Sequence, residues 1–250
     1  MSKIYCFDLD STILFRKNEI EYFVYPSTLK LLKLLSKDEN NILVLATGRA
    51  KTDNSTYKSI KKYFSYFIYL NGSLVYHKNK KVYENYFNKQ KLQEIVEYCY
   101  SHKIAAGYST LSYLLFVKDL IPNVETHKLD HAVIIDDIKN IINKKIYSMS
   151  IITDDKYFDD IKDVVKFSWR LGGCHILPPN TSKGNFLNSL EDESSILISV
   201  GDGDNDYDML KKANVSITYS SSSKLLKRIA SIVVEKEDLL YEAFVKNNLI

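Results

Sequence analysis

The chain has 250 residues, 45% of them hydrophobic and 26% charged, an ordinary composition for a soluble globular protein. Its 34 basic and 31 acidic residues leave a net charge of +3, which gives little reason to expect a nucleic-acid surface. The three cysteines, Cys6, Cys99 and Cys174, are too few and too far apart for a disulfide framework or a zinc knuckle.

The first apolar run, Ile4-Tyr5-Cys6-Phe7, reads as a buried strand and leads into Asp8-Leu9-Asp10-Ser11-Thr12. Pro26 suits the first turn of a helix over Ser27–Leu35, which Asn40-Asn41 closes. A second strand, Ile42–Ala46, runs into Thr47-Gly48-Arg49, read as a helix start. Ser55–Phe64 is expected to be helical and Tyr66–Leu70 a strand. Asn71-Gly72 marks a turn, with Leu74–His77 returning as a hairpin.

From about Lys78 the pattern changes. Helices are expected at Lys89–Ser101 and Asp154–Phe167. Strands are expected at Ala105–Tyr108, Tyr113–Val117, Tyr147–Thr153 and Trp169–Leu177. This mixture describes a small α+β module. After Pro178-Pro179-Asn180 the α/β alternation resumes. Ser182-Lys183-Gly184 opens an expected helix, and the strand Ile196–Val200 leads into Gly201-Asp202-Gly203-Asp204-Asn205-Asp206. Helices at Asp206–Ala213 and Ser223–Ala230 alternate with strands at Val215–Thr218 and Ile232–Val234. The expected fold is α/β, a Rossmann-like parallel-sheet core of residues 1–77 and 178–250, with an inserted α+β domain of residues 78–177.

In an open parallel sheet, ligands bind beyond the carboxyl ends of the strands. The three signatures therefore converge on one edge, with the composition of a metal-assisted phosphoryl-transfer site. Asp8 and Asp10 stand two apart past a strand end, so one carboxylate is placed to attack while the other handles a proton. An isolated Asp-x-Asp is more often a solvated loop. Thr47 and Gly48 offer a hydroxyl and backbone N–H groups, although alone they read as a plain helix cap. Lys183 alone reads as an ordinary surface lysine. The Gly201–Asp206 loop is the most specific piece: its three carboxylates and amide are hard oxygen ligands suited to Mg²⁺. It has neither the glutamate of a calcium loop nor the third glycine of a dinucleotide-binding loop.

In order and spacing, the four motifs resemble those of the haloacid dehalogenase superfamily, in particular its Cof-like sugar-phosphate phosphatase branch with an α+β cap. The resemblance covers roughly Lys3–Tyr76 and Pro178–Val234. It implies a phosphatase of small phosphorylated metabolites, sugar phosphates first, acting through an aspartyl phosphate. A phosphomutase on the same core and a non-catalytic sugar-phosphate sensor are the alternatives. By matching position, the resemblance makes Asp8 the nucleophile and Asp10 the acid/base. It assigns Mg²⁺ to Asp8, Asp202 and the Asp10 carbonyl, and the phosphoryl oxygens to Thr47, Gly48, Lys183 and Asn205. Asp206 would steady the metal's waters or Lys183 from behind. The family usually has glycine where this chain has Ser11, which implies a modest conformational change there. No apolar stretch approaches the ~20 residues that span a bilayer, and no basic region leads into an apolar run at the amino terminus. A cytoplasmic monomer or homodimer with no membrane partner is expected.

Overall fold

Strand β1 (Lys3–Asp8) shows why the main sheet is buried on both faces. Its side chains alternate, Ile4 and Cys6 to one face and Tyr5 and Phe7 to the other, and none of the four is more than 1% exposed. The computed structural model describes residues 2–18, 21–51, 55–121, 132–151, 160–168, 173–192 and 194–250.

The short strands β2 (Phe15–Arg16) and β3 (Tyr22–Phe23) pair antiparallel after β1. Helix α1 (Pro26–Leu35) follows, then β4 (Asn41–Ala46), α2 (Ser55–Lys61), β5 (Tyr66–Tyr69), β6 (Leu74–His77) and β7 (Lys80–Glu84). Next come α3 (Lys89–Ser101), β8 (Ala106–Ser109), β9 (Leu114–Val117), β10 (Ala132–Ile135), α4 (Lys139–Ile142), β11 (Ser148–Ile151), β12 (Val165–Ser168) and β13 (Cys174–Leu177). The chain ends through β14 (Ile196–Val200), α5 (Tyr207–Lys212), β15 (Val215–Tyr219), α6 (Lys224–Ile229), β16 (Ile232–Val234) and α7 (Leu240–Lys246).

Two compact units result. One is drawn from Met1–Gly48, Asp53–Tyr83 and Ser182–Ile250, the other from Arg49–Thr52 and Glu84–Thr181. The first holds an eight-stranded sheet in the order β16-β15-β14-β1-β4-β5-β6-β7, parallel from β16 to β5, with β6 antiparallel to β5. On one face Ile4, Cys6, Val44, Ala46 and Ile68 pack with Met209, Leu210 and Leu226. On the other, Phe7 stacks on Phe244 and meets Phe64 edge-on. In α1, Thr28, Leu31, Leu32 and Leu35 are buried, the i, i+3, i+4, i+7 stripe of an amphipathic helix. The Asn41 amide donates to the Leu35 carbonyl at 3.0 Å and so caps that helix's end.

The second unit holds a six-stranded sheet in the order β10-β9-β8-β11-β13-β12. Leu92, Ile95, Val96 and Cys99 of α3 pack on Tyr108, Leu115, Met149 and Ile176 of its strands. Asn88 caps α3 by accepting from the Lys91 N–H at 2.8 Å. Asn85 donates to the Thr181 hydroxyl at 2.9 Å and to the Pro179 carbonyl at 3.0 Å, so the inserted segment begins and ends at neighbouring points. Cys6, Cys99 and Cys174 are buried thiols outside any disulfide. Among the described residues, no helix is long and apolar enough to cross a membrane.

Three local expectations need correction. The helix expected through Phe167 gives way to β12, because Val165–Ser168 pair antiparallel with Cys174–Leu177; residues 154–159 of that expectation, and Trp169 at the start of the expected strand, lie outside the described residues. Ser182-Lys183-Gly184 opens turns, with a short 3₁₀ piece at Leu187–Ser189. There the Ser182 hydroxyl accepts from the Asn185 N–H as an N-cap would, but the chain continues in turns and not in an α-helix. Thr47-Gly48 is not a helix start either, since α2 begins only at Ser55.

The β5–β6 connection is a 3₁₀ turn, Leu70–Gly72, with φ of 51°, 55° and 107° at Leu70, Asn71 and Gly72. A Cβ on Gly72 would stand 2.1 Å from the Ser182 carbonyl oxygen. Gly72→Ala therefore meets both a forbidden overlap and an unfavourable φ, and should destabilise the first unit by roughly 3 kcal/mol or more. Thermal denaturation checks this, and a melting temperature equal to wild type would mean that the two backbones separate freely.

Candidate active site

Register places the three signatures on one edge. β1 lies between β14 and β4, with Phe7 opposite Val200 and Asp8 opposite Ala46. Thr47 and Gly201 thus leave their strands on either side of Asp8.

Lys183 joins them. It is 1% exposed, and its Nζ lies 2.6 Å from Asp8 Oδ1 and 2.7 Å from Asp206 Oδ1. The other Asp206 oxygen accepts the backbone N–H groups of Asp202 and Gly203, at 3.1 and 3.0 Å. One carboxylate therefore shapes the acidic loop and holds the lysine at once. Asp202 accepts from the Thr12 hydroxyl at 3.0 Å, and the Thr12 carbonyl accepts from the buried Tyr219 hydroxyl at 2.8 Å. Asp204 is turned away: it accepts from Ser223, the cap residue of α6, at 2.6 Å. Asn205 donates to Asn71 Oδ1 at 2.8 Å. Thr47 is buried, its N–H donates to Ile68 and its carbonyl accepts from Asn71. Asp10, half-buried, forms a β-bridge with Leu14.

Ser11 has φ 61°, and its N–H donates to the Leu14 carbonyl at 2.8 Å. The serine is held in the left-handed region, at a cost of about 1–2 kcal/mol for an L-residue.

Carboxylate oxygens of Asp8, Asp202 and Asp206 lie within 4.8 Å of one another. Three carboxylates and one ammonium meet there, an acidic cluster. Burial pushes the Asp8 carboxyl well above its ordinary range, and Asp206, Asp202 and Asp10 push it further, against the pull of Lys183. Burial disfavours the Lys183 ammonium, but Asp206 and Asp8 outweigh it and hold the proton on. Hard oxygen donors in an acidic cluster fit a divalent cation such as Mg²⁺. Such a cation would favour the anionic form of Asp8.

A parallel α/β core that gathers carboxylates and a buried lysine at its strand ends defines a class of hydrolase. The family model of haloacid dehalogenase-like hydrolases matches residues 5–239, and the chain belongs to that family. Among curated proteins, a phosphoglycolate phosphatase of Sulfurisphaera tokodaii is 30% identical over 96 residues, 37% of this chain and 42% of that protein. A chloroplastic endoribonuclease YBEY of Arabidopsis thaliana is 25% identical over 267 residues, 95% of this chain and 44% of that protein. The chain thus spans under half the length of both relatives. Among solved structures, a subclass IIB sugar phosphatase of the superfamily has a TM-score of 0.84 at 16% identity, covering both chains fully. A phosphatase of the superfamily from Bacteroides thetaiotaomicron has a TM-score of 0.87 at 20% identity, covering 100% of this chain and 96% of that one. These likenesses establish the fold.

The sequence alone reads Lys183 as opening a helix and Asn71 as a turn residue only. The signal for Asn71 was present, since Asn tolerates the left-handed backbone and also carries a donor and an acceptor.

Removing the lysine tests the ion triplet. Lys183→Met should cost about 3–5 kcal/mol at neutral pH, because it leaves two buried carboxylates unpaired. Denaturation at pH 7 reads the effect; a variant as stable as wild type there would deny the triplet any structural role.

Proposed function

We propose that this protein is a Mg²⁺-dependent phosphatase of small phosphorylated metabolites, sugar phosphates first. The observation that carries the reading is the buried Lys183 held between Asp8 and Asp206 at 2.6 and 2.7 Å, in an acidic cluster. The names of the phosphatases that the chain resembles support the substrate class.

In this reading an Asp8 oxygen attacks phosphorus and the ester P–O bond breaks. The leaving oxygen takes the proton of Asp10. Water then attacks the aspartyl phosphate and gives a proton to Asp10. The P–O bond to Asp8 breaks, which restores the carboxylate and frees inorganic phosphate. Thr47, Gly48, Lys183 and Asn205 hold the phosphoryl oxygens. Asp206 aims Lys183 and shapes the loop that carries Asp202. The carboxylates of Asp8 and Asp202, with the Asp10 carbonyl, would hold Mg²⁺, which supplies positive charge against the phosphoryl oxygens and the Asp8 anion. The inserted unit serves as the cap that selects the substrate, and its separate core, built on α3 and six strands, supports that role.

Asp8→Asn should abolish phosphate release, because an amide is no anionic nucleophile. Asp10→Asn should slow release from sugar phosphates by roughly 10²–10⁴. The loss should be smaller with p-nitrophenyl phosphate, whose leaving group needs little protonation. A panel of phosphate esters assayed for Mg²⁺-dependent release decides the reading, and full activity in EDTA would sink it.

The raised Asp8 value adds a pH dependence. Folded Asp8 holds its proton more tightly than the unfolded chain does. Its contribution to stability is thus complete below the ordinary value of 3.8 and is lost as pH rises through the folded value. Mg²⁺ needs the anion, so the rise in melting temperature on adding MgCl₂ should be small at pH 5 and larger at pH 8. An equal rise at both pH values would count against a site built on Asp8.

A further inference from the structure

Among the described residues, four buried side-chain polar atoms have no hydrogen-bond partner: Thr28 Oγ1, Tyr108 OH, Ser199 Oγ and Asn71 Nδ2. Three are hydroxyls, which rotate to suit their surroundings. Asn71 Nδ2 is different, a planar amide with two fixed N–H donors, on a residue that is fully buried.

The chain goes to some length to place that amide. Leu70 and Asn71 both occupy the left-handed region, which Leu has no local reason to adopt. The Asn71 N–H is tied to the Thr47 carbonyl at 3.0 Å. Its Oδ1 accepts from Asn205 Nδ2 at 2.8 Å, which sets the orientation of both amides. A Cβ on Gly48 would lie 3.1 Å from Asn71 Oδ1 and 3.2 Å from Nδ2. The Asn71 amide therefore lies against Gly48, and the absent side chain there makes room for it. Asn71 thus touches Thr47, Gly48 and Asn205, three of the four residues given to the phosphoryl oxygens, and it has a donor to spare.

We propose that Asn71 is a phosphate-binding residue: Nδ2 donates to a phosphoryl oxygen of the substrate, and Oδ1 holds the Asn205 amide ready for the same group. The inference rests on the phosphatase reading above and adds a residue to it.

Two variants separate contact from scaffolding. Asn71→Asp keeps shape, tolerance of the left-handed backbone and the acceptor for Asn205, but it sets an anionic oxygen where the donor was. Asn71→Gly suits the backbone and removes the amide without adding charge. The full chain in MgCl₂ is titrated with inorganic phosphate by calorimetry, beside a melting curve for each protein. Phosphate should bind roughly 10–100-fold more weakly to Asn71→Asp, with Asn71→Gly between it and wild type. A purely structural role gives the reverse order, since the near-isosteric Asp disturbs packing least. Wild-type affinity in Asn71→Asp, or a greater loss in Asn71→Gly than in Asn71→Asp, overturns the inference and leaves the phosphatase standing. If Asn71→Asp does not fold, Asn71→Gly decides alone, and unchanged affinity there is again the overturning result. Wild-type protein that neither binds nor releases phosphate overturns the phosphatase reading itself, and Asn71 with it.

Discussion

The first unit is organised around a lysine ammonium with almost no water. Lys183 is 1% exposed, and among the described residues its charge is answered by carboxylates drawn from two other parts of the chain. A buried ion pair is a poor way to gain stability, because desolvation offsets most of the attraction. Its value here is positional. Asp8 ends β1, Asp206 follows β14, and Lys183 lies on turns rather than on a regular element. The charges fix a lysine that its own backbone would leave loose.

That constraint propagates through Asp206. One of its oxygens takes the lysine and the other takes two backbone N–H groups of the acidic loop. The position of Lys183 and the shape of the loop carrying Asp202 therefore cannot vary independently. Thr12 and Tyr219 brace Asp202 from the opposite side. A site assembled this way is preorganised before any ligand arrives, the condition under which fixed charges act most strongly on a developing charge.

Much of this was legible in the sequence because parallel strands are apolar runs and their functional residues sit at the carboxyl ends. That rule alone places Asp8, Thr47 and Asp202 at or just past strand ends, where the structure has them. What escaped is what no period encodes. Ser-Lys-Gly after prolines looks like a helix start, and the Ser182 hydroxyl does accept the Asn185 N–H as a cap would, yet the chain runs on in turns. Thr47 was read as a cap because a hydroxyl after a strand often precedes a helix, but α2 waits until Ser55. β12 was hidden because Val165–Ser168 owe their extended form to a partner strand, not to local preference. Asn71 was taken for a turn former, which it is, and the second use of its side chain appears only when Asn205, Thr47 and Gly48 are seen around it.

Chain order explains how such a site tolerates a long interruption. β1 sits mid-sheet with β4 on one side and β14 on the other, so the two stretches of the first unit meet at Asp8 itself. The segment between them returns to its own starting point, where Asn85 bonds Pro179 and Thr181. It also carries its own buried core on α3 and its sheet. Closing that loop therefore asks nothing of the parallel sheet. Leu92, Ile95 and Met149 belong to that core, while Asp8, Lys183 and Asp206 belong to the first unit.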